Sequence, residues 1–166
     1  EERLKDSDYQ DLQAKVSLKK EYSYNNLNTE EIRVESIDEN NFPDIKRIKT
    51  DDELVRIYQI QNIDENPFCI HELITYMDKD INKERLAKLD SIYDLLGRKG
   101  INRLQFMNNV ITLGRPDRKY SDYFEKSDNI FFCQRIVLLN RIPIGRERIY
   151  LKGDVTKMEF PGEIVV

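Results

Sequence analysis

Across residues 64–112 apolar side chains recur at three- and four-residue spacings, and the pattern breaks only at polar or glycine-bearing junctions. That periodicity is the mark of amphipathic helices, and it constrains the fold more than any other feature of the chain. In DENPFCIHELITYMDKD, Asp64 or Asn66 can cap a helix and Pro67 suits its first turn, while Phe68, Ile70, Leu73, Ile74 and Met77 supply a broad apolar stripe. Asn82 then caps KERLAKLDSIYDLL, where Leu86, Leu89, Ile92, Tyr93 and Leu96 lie three and four apart ahead of Gly97. A third helix is expected over 101–112, after the basic turn GRKG.

Period-two patterns flank this region. EIRVESI, residues 31–37, alternates Ile32 and Val34 with Arg33 and Glu35, and LVRIYQI within 51–63 is dense in β-branched and aromatic residues. NIFFCQRIVLLN and RERIYLKGDV surround RIPIG, a turn or bulge, as a hairpin would, and a short final strand is expected in TKMEF or EIVV. The expected class is therefore α+β, a mixed or antiparallel sheet with a central group of about three helices and a C-terminal β-hairpin. Residues 1–166 are expected to make a single domain, with 1–28 as an N-terminal helical appendage in which Leu4, Leu12 and Val16 fall near helical spacing.

Composition narrows the function classes. The chain is 39% hydrophobic and 35% charged, and nine Tyr and seven Phe argue for a folded core rather than disorder. No apolar run approaches the roughly 20 residues of a membrane-spanning helix, and no signal-peptide pattern is present. The chain reads as soluble. It begins with Glu1 rather than Met, which is compatible with a processed secreted product or an excised domain and leaves the compartment open. The net charge of −4 conceals an asymmetry: residues 1–80 carry 11 Lys and Arg against 20 Asp and Glu, whereas 81–166 carry 16 against 11. The basic half can face either the acidic half or a polyanion.

No catalytic constellation emerges, and no cofactor or metal is expected. Asp78, Asp80 and Asn82 match the start of a calcium loop, but Lys83 stands where its glycine belongs and Leu89 where its last carboxylate belongs. Pro116-Asp117 lacks the acidic strand partner that metal-dependent nuclease chemistry needs, because IFFCQRIVLL carries no acid. His71 is the only histidine, and on a helix Cys69 would point to a different face. Cys69 and Cys133 are expected to be buried free thiols, and six glycines supply no phosphate-cradling motif.

Two binding roles remain. The first is a non-enzymatic protein that works by protein–protein contacts, with loop 114–126 offering Arg115, Arg118, Tyr120, Tyr123 and Phe124 as anchors. The alternative is a winged-helix-like nucleic-acid binder. Three helices followed by a hairpin suit that layout: Asn102, Arg103, Gln105 and Asn109 would read bases from the third helix. Arg98, Lys99, Arg141, Arg146 and Arg148 would hold phosphates.

Overall fold

The computed structural model describes residues 15–18, 27–78 and 104–159, and most of these lie in strands. They are β1 (Lys15–Leu18), β2 (Leu27–Ser36), β3 (Asp52–Ile63), β4 (Asn66–Asp78), β5 (Leu104–Gly114), β6 (Ile130–Leu139), β7 (Ile142–Lys152) and β8 (Thr156–Glu159). Six of them form one sheet in the order β2-β3-β4-β7-β6-β5, each antiparallel to its neighbour, while β1 and β8 pair separately. Helical structure among the described residues amounts to two three-residue 3-10 turns, Glu39–Asn41 and Arg118–Tyr120.

The expected α+β class is thus corrected to an antiparallel β architecture. Residues 66–78 form β4 rather than a helix, and 104–114 form β5 rather than the third helix. Lys15–Leu18 is a strand where an N-terminal helix was expected, and the expected helix at 82–97 lies outside the described residues. The cause in β4 is burial on both sides. From Phe68 to Thr75 every residue is buried, so neither face alternates with polar residues and the apolar positions fit a helical stripe as well as a strand.

Two tight turns close the central hairpins. Asp64 and Glu65 join β3 to β4 with φ of 48° and 64°, and Asn140 and Arg141 join β6 to β7 with φ of 48° and 69°. Paired positive φ is the conformation whose twist matches a two-residue hairpin, although glycine is the usual occupant of the second position. At Gly145 the side chain is omitted for a different reason, because a Cβ there would meet Ile74 O at 3.0 Å across the β4–β7 pair.

Register sorts the side chains onto two faces. One face carries Val55, Ile57, Leu73, Met77 and Val137, with Ile32, Val34 and Phe106 packed against them. Ile57 and Leu73 are wholly buried there, each contributing about 1.5–3 kcal/mol by removal from water. The other face is covered at its two ends by loops. Phe42 and Ile45 from the loop before β3 pack on Leu54, Ile74 and Tyr76. Tyr120 and Phe124 from the loop before β6 pack on Ile60, Ile70, Ile130 and Tyr150. Arg146 Nε to Asp44 Oδ2 at 2.9 Å ties down the first loop, and Lys152 Nζ to Asp128 Oδ1 at 3.2 Å ties down the second.

Candidate functional site

Between the two loops a cross-strand row of polar side chains lies on the covered face. The pairings Arg33↔Tyr58, Tyr58↔Glu72, Glu72↔Arg148 and Arg148↔Gln134 run over β2, β3, β4, β7 and β6. Because strand neighbours alternate faces, Arg56 and Tyr150 join the same surface from β3 and β7. Lys119 and Tyr120 approach it from the loop above.

Glu72 is the centre of this group and is only 1% exposed. Three cations surround its carboxylate: Arg148 Nη1 at 3.6 Å and Arg56 Nε at 3.9 Å from Oε1, and Lys119 Nζ at 3.8 Å from Oε2. All three distances exceed hydrogen-bond length. The Tyr120 hydroxyl donates to Oε2 at 3.3 Å, but Glu72 Oε1 and Arg56 Nε are both buried without a hydrogen-bond partner. A buried acceptor and a buried donor left without a protein partner are costly in a folded protein unless water or another molecule pairs with them.

Aromatic rings wall the site. Tyr120 and Tyr150 stand 4.5 Å apart between ring centroids, Phe132 lies 5.0 Å from Tyr150, and the Lys119 ammonium sits 4.7 Å above the Tyr120 ring. Burial, reinforced by the charge of Glu72, pushes the Tyr120 phenol well above its ordinary range, and burial also raises Tyr150 and Tyr58. These hydroxyls stay protonated and act as neutral hydrogen-bonding walls.

The opposite face holds a second charged cluster of different character. Glu147 is fully buried, and its two carboxylate oxygens are hydrogen-bonded by His71 Nε2 and by Arg135 Nε. Phe106 covers the Arg135 guanidinium at 3.9 Å, and Gln59 donates to Thr29 Oγ1 at 3.3 Å nearby. Cys69 and His71 share this face, since positions two apart in a strand point the same way, so their expected divergence on a helix is corrected. Both cysteines are free, and burial pushes the Cys69 thiol up to about 12. A neutral thiol is a poor nucleophile.

The residues expected to contact a protein partner are placed differently. Tyr120 and Phe124 are 4% and 3% exposed and face the sheet, and Tyr123 accepts a hydrogen bond from Arg33 Nη2 at 3.0 Å. Arg115 is exposed but donates to Ser127 O within its own loop, and Arg118 is exposed. Loop 114–126 therefore spends Tyr120 and Phe124 on its own core, while Arg115 and Arg118 stay at the surface.

The winged-helix alternative is corrected as well. Arg98, Lys99, Asn102 and Arg103 lie outside the described residues, and Gln105 and Asn109 fall on β5, an edge strand of the sheet with a bulge between Met107 and Val110. No recognition helix exists at 104–114 to enter a groove. Arg141 is exposed in the β6–β7 turn, but Arg146 pairs with Asp44 and Arg148 with Glu72 on the covered face.

Arg56, Glu72, Lys119 and Tyr150 escaped the reading of the sequence. The available signal was a single acid inside the apolar run FCIHELITYM, which is unusual in a buried strand and unremarked on a helix surface. Among the described residues no helix is long and apolar enough to cross a membrane, and no three His, Cys, Asp or Glu side chains group as metal ligands.

No protein-family model matches the chain, and no curated protein does. Solved structures do. A chain assigned as the ligand-binding domain of a GntR-family transcriptional regulator from Bordetella bronchiseptica aligns over 92% of this chain and 91% of its own, with a TM-score of 0.59 at 12% identity. The effector-binding domain of the Bacillus subtilis trehalose repressor aligns over 85% of this chain and 98% of its own, with a TM-score of 0.57 at 15% identity. The C-terminal domain of the histidine utilization repressor from Pseudomonas syringae pv. tomato aligns over 85% and 99%, with a TM-score of 0.55 at 9% identity. These likenesses replace the expected protein-contact module and winged helix as the frame for the fold: the chain is built like the effector-binding domains of GntR-family regulators.

Proposed function

We propose that this chain is a small-molecule effector-binding domain of a transcriptional regulator, and that the effector lodges around Glu72 on the loop-covered face. The observation that carries the reading is the pair of unpartnered buried groups, Glu72 Oε1 and Arg56 Nε, held side by side between two loops. Ligand sites of this kind combine apolar walls with a few convergent polar groups. Tyr120, Tyr150 and Phe132 provide the walls here, and Glu72, Arg56, Arg148 and Lys119 provide the polar groups. The likeness to the trehalose repressor's effector-binding domain supports the same assignment. In such a regulator the domain senses a metabolite, and reading DNA falls to other parts of the protein.

The test is a screen of metabolites against the full chain by thermal shift, followed by amide chemical-shift mapping of each hit. A ligand should raise the melting temperature by mass action and move resonances of Tyr58, Glu72, Arg148 and Tyr150. Arg148→Ala should abolish that response. Hits that perturb only the opposite face, around His71 and Glu147, would overturn the placement of the site, and a screen without hits would count against the function itself.

A further inference from the structure

The electrostatics of the site narrow the chemistry of what it binds. We infer that the ligand is a small acid that also carries a hydroxyl or amino group, the acid set against Arg56, Arg148 and Lys119 and the donor on Glu72 Oε1. This inference rests on the effector reading above and specifies its ligand class.

The acid follows from charge. Arg56, Arg148 and Lys119 all come within 4 Å of the single carboxylate of Glu72, and none is close enough to hydrogen-bond to it. Among the described residues the other acids close to this group are Glu35, 3.9 Å from Arg56 and 46% exposed, and Asp117, an exposed loop residue whose charge reaches Tyr150, and water screens both. A neutral ligand would leave this excess of positive charge in place, and a cation would add to it. An anion satisfies it, and guanidinium groups hold carboxylate and phosphate oxygens with paired hydrogen bonds.

The donor follows from geometry. Oε1 of Glu72 is an acceptor with no donor, and Nε of Arg56 is a donor with no acceptor, 3.9 Å apart. An ionised acid alone cannot serve both, since it accepts without donating, and a lone hydroxyl bridging the two would leave the positive charge of the site unmet. A hydroxyl or ammonium beside an acid does both at once: the first donates to Glu72, and the second accepts from Arg56. Lys119 completes the set from the covering loop. Its ammonium rests against the Tyr120 and Tyr150 rings at 4.7 and 5.7 Å, with its side chain 42% exposed, so it can turn toward an incoming anion.

Four probes separate the requirements when their affinities for the full chain are measured by chemical-shift titration. Glycerate and glycerol 3-phosphate carry both features, glycerol carries hydroxyls without an acid, and inorganic phosphate carries an acid without a carbon-borne hydroxyl. At least one of the first two should bind about 10-fold more tightly than glycerol and than inorganic phosphate, and the leader of the pair identifies carboxylate or phosphate. That affinity should fall as salt rises. Lys119→Met should weaken the acid probes about 10-fold and leave glycerol unchanged, and Glu72→Gln should reduce the advantage of glycerol 3-phosphate over inorganic phosphate. Glycerol binding at Tyr58 and Tyr150 as tightly as the acids would overturn the acid requirement and leave the effector reading standing. Inorganic phosphate equal to glycerol 3-phosphate would overturn the donor requirement, and failure of all four to bind would overturn the inference outright.

Discussion

Glu147 and Glu72 are both buried acids on neighbouring strands of one sheet, yet their surroundings differ in kind. Glu147 has a hydrogen-bond donor on each oxygen, from His71 and Arg135, and Phe106 shields the guanidinium from water. Glu72 has more cations near it but only one hydrogen bond, from Tyr120, and its Oε1 has none. A satisfied buried charge rigidifies a core, whereas an unsatisfied one spends folding energy to keep a binding group ready. Under the proposed function, the two glutamates therefore separate a structural cluster from a ligand-binding one.

The contrast can be broken by experiment. Glu147→Ala should be the most damaging change, because it strands His71 and Arg135 beside an apolar core; a loss of about 3–5 kcal/mol is expected in urea unfolding. Alkaline titration comes next. The Cys69 thiol on the face of Glu147 is raised by burial from an ordinary 9.0 to about 12, with the charge of Glu147 adding to the shift. A thiol that stays protonated in the fold but ionises in the unfolded chain contributes its full stability below pH 9. That contribution is lost as pH climbs toward about 12, by a few kcal/mol in all. Cys69→Ala should flatten this decline, and Tyr120→Phe should do the same for the phenol beside Glu72, whose shift is also upward. An alkaline limb unchanged in both variants would show that neither buried proton matters.

Glu72→Gln sharpens the comparison from the other side. Arg56 and Arg148 are 27% and 37% exposed, so water can take over their solvation, and stability should move by no more than about 1 kcal/mol. Stabilisation by a ligand that donates to Oε1 should shrink, while the cations that hold its acid remain. A loss of stability as large as that of Glu147→Ala would assign both glutamates to the scaffold. The smallest effect is expected at the β3–β4 turn, where Glu65→Gly relieves a positive φ of 64° and should stabilise by about 0.5–1 kcal/mol. The turn lies six residues before His71 and seven before Glu72, roughly 20 Å away along the extended strand, and should leave ligand affinity unchanged.

Reading the sequence located strands where one face meets water or a turn is explicit. Ile32 and Val34 alternate with exposed Arg33 and Glu35 in β2, and the turn expected in RIPIG falls slightly earlier, at Asn140-Arg141, with residues 142–145 already part of β7. It failed where those cues vanish. In β4 both faces are buried, and the turn before it uses Asp64-Glu65 in place of the Asn-Gly or Asp-Gly that would have announced a hairpin. Once β4 was read as a helix, Glu72 became an ordinary surface acid. The site was still less legible, because Arg56, Glu72, Lys119 and Arg148 meet only through strand pairing across long stretches of chain. Arg146 and Arg148 look like the basic tip of a hairpin in one dimension, and the sheet turns both onto its covered face.

The β4–β7 pairing has a consequence for how the chain finds its fold. These strands contribute neighbours of opposite destination: His71 beside Glu72 on one, Glu147 beside Arg148 on the other, with partners 76 residues apart. A slip of one residue would reverse the facing of a whole strand. It would bring Glu147 round to Glu72 and carry Arg148 round to His71 and Arg135, gathering like charges on each side of the sheet. Mispaired forms are thereby penalised on both faces at once, so the same charges that would receive the proposed ligand also proofread the longest-range closure in the sheet.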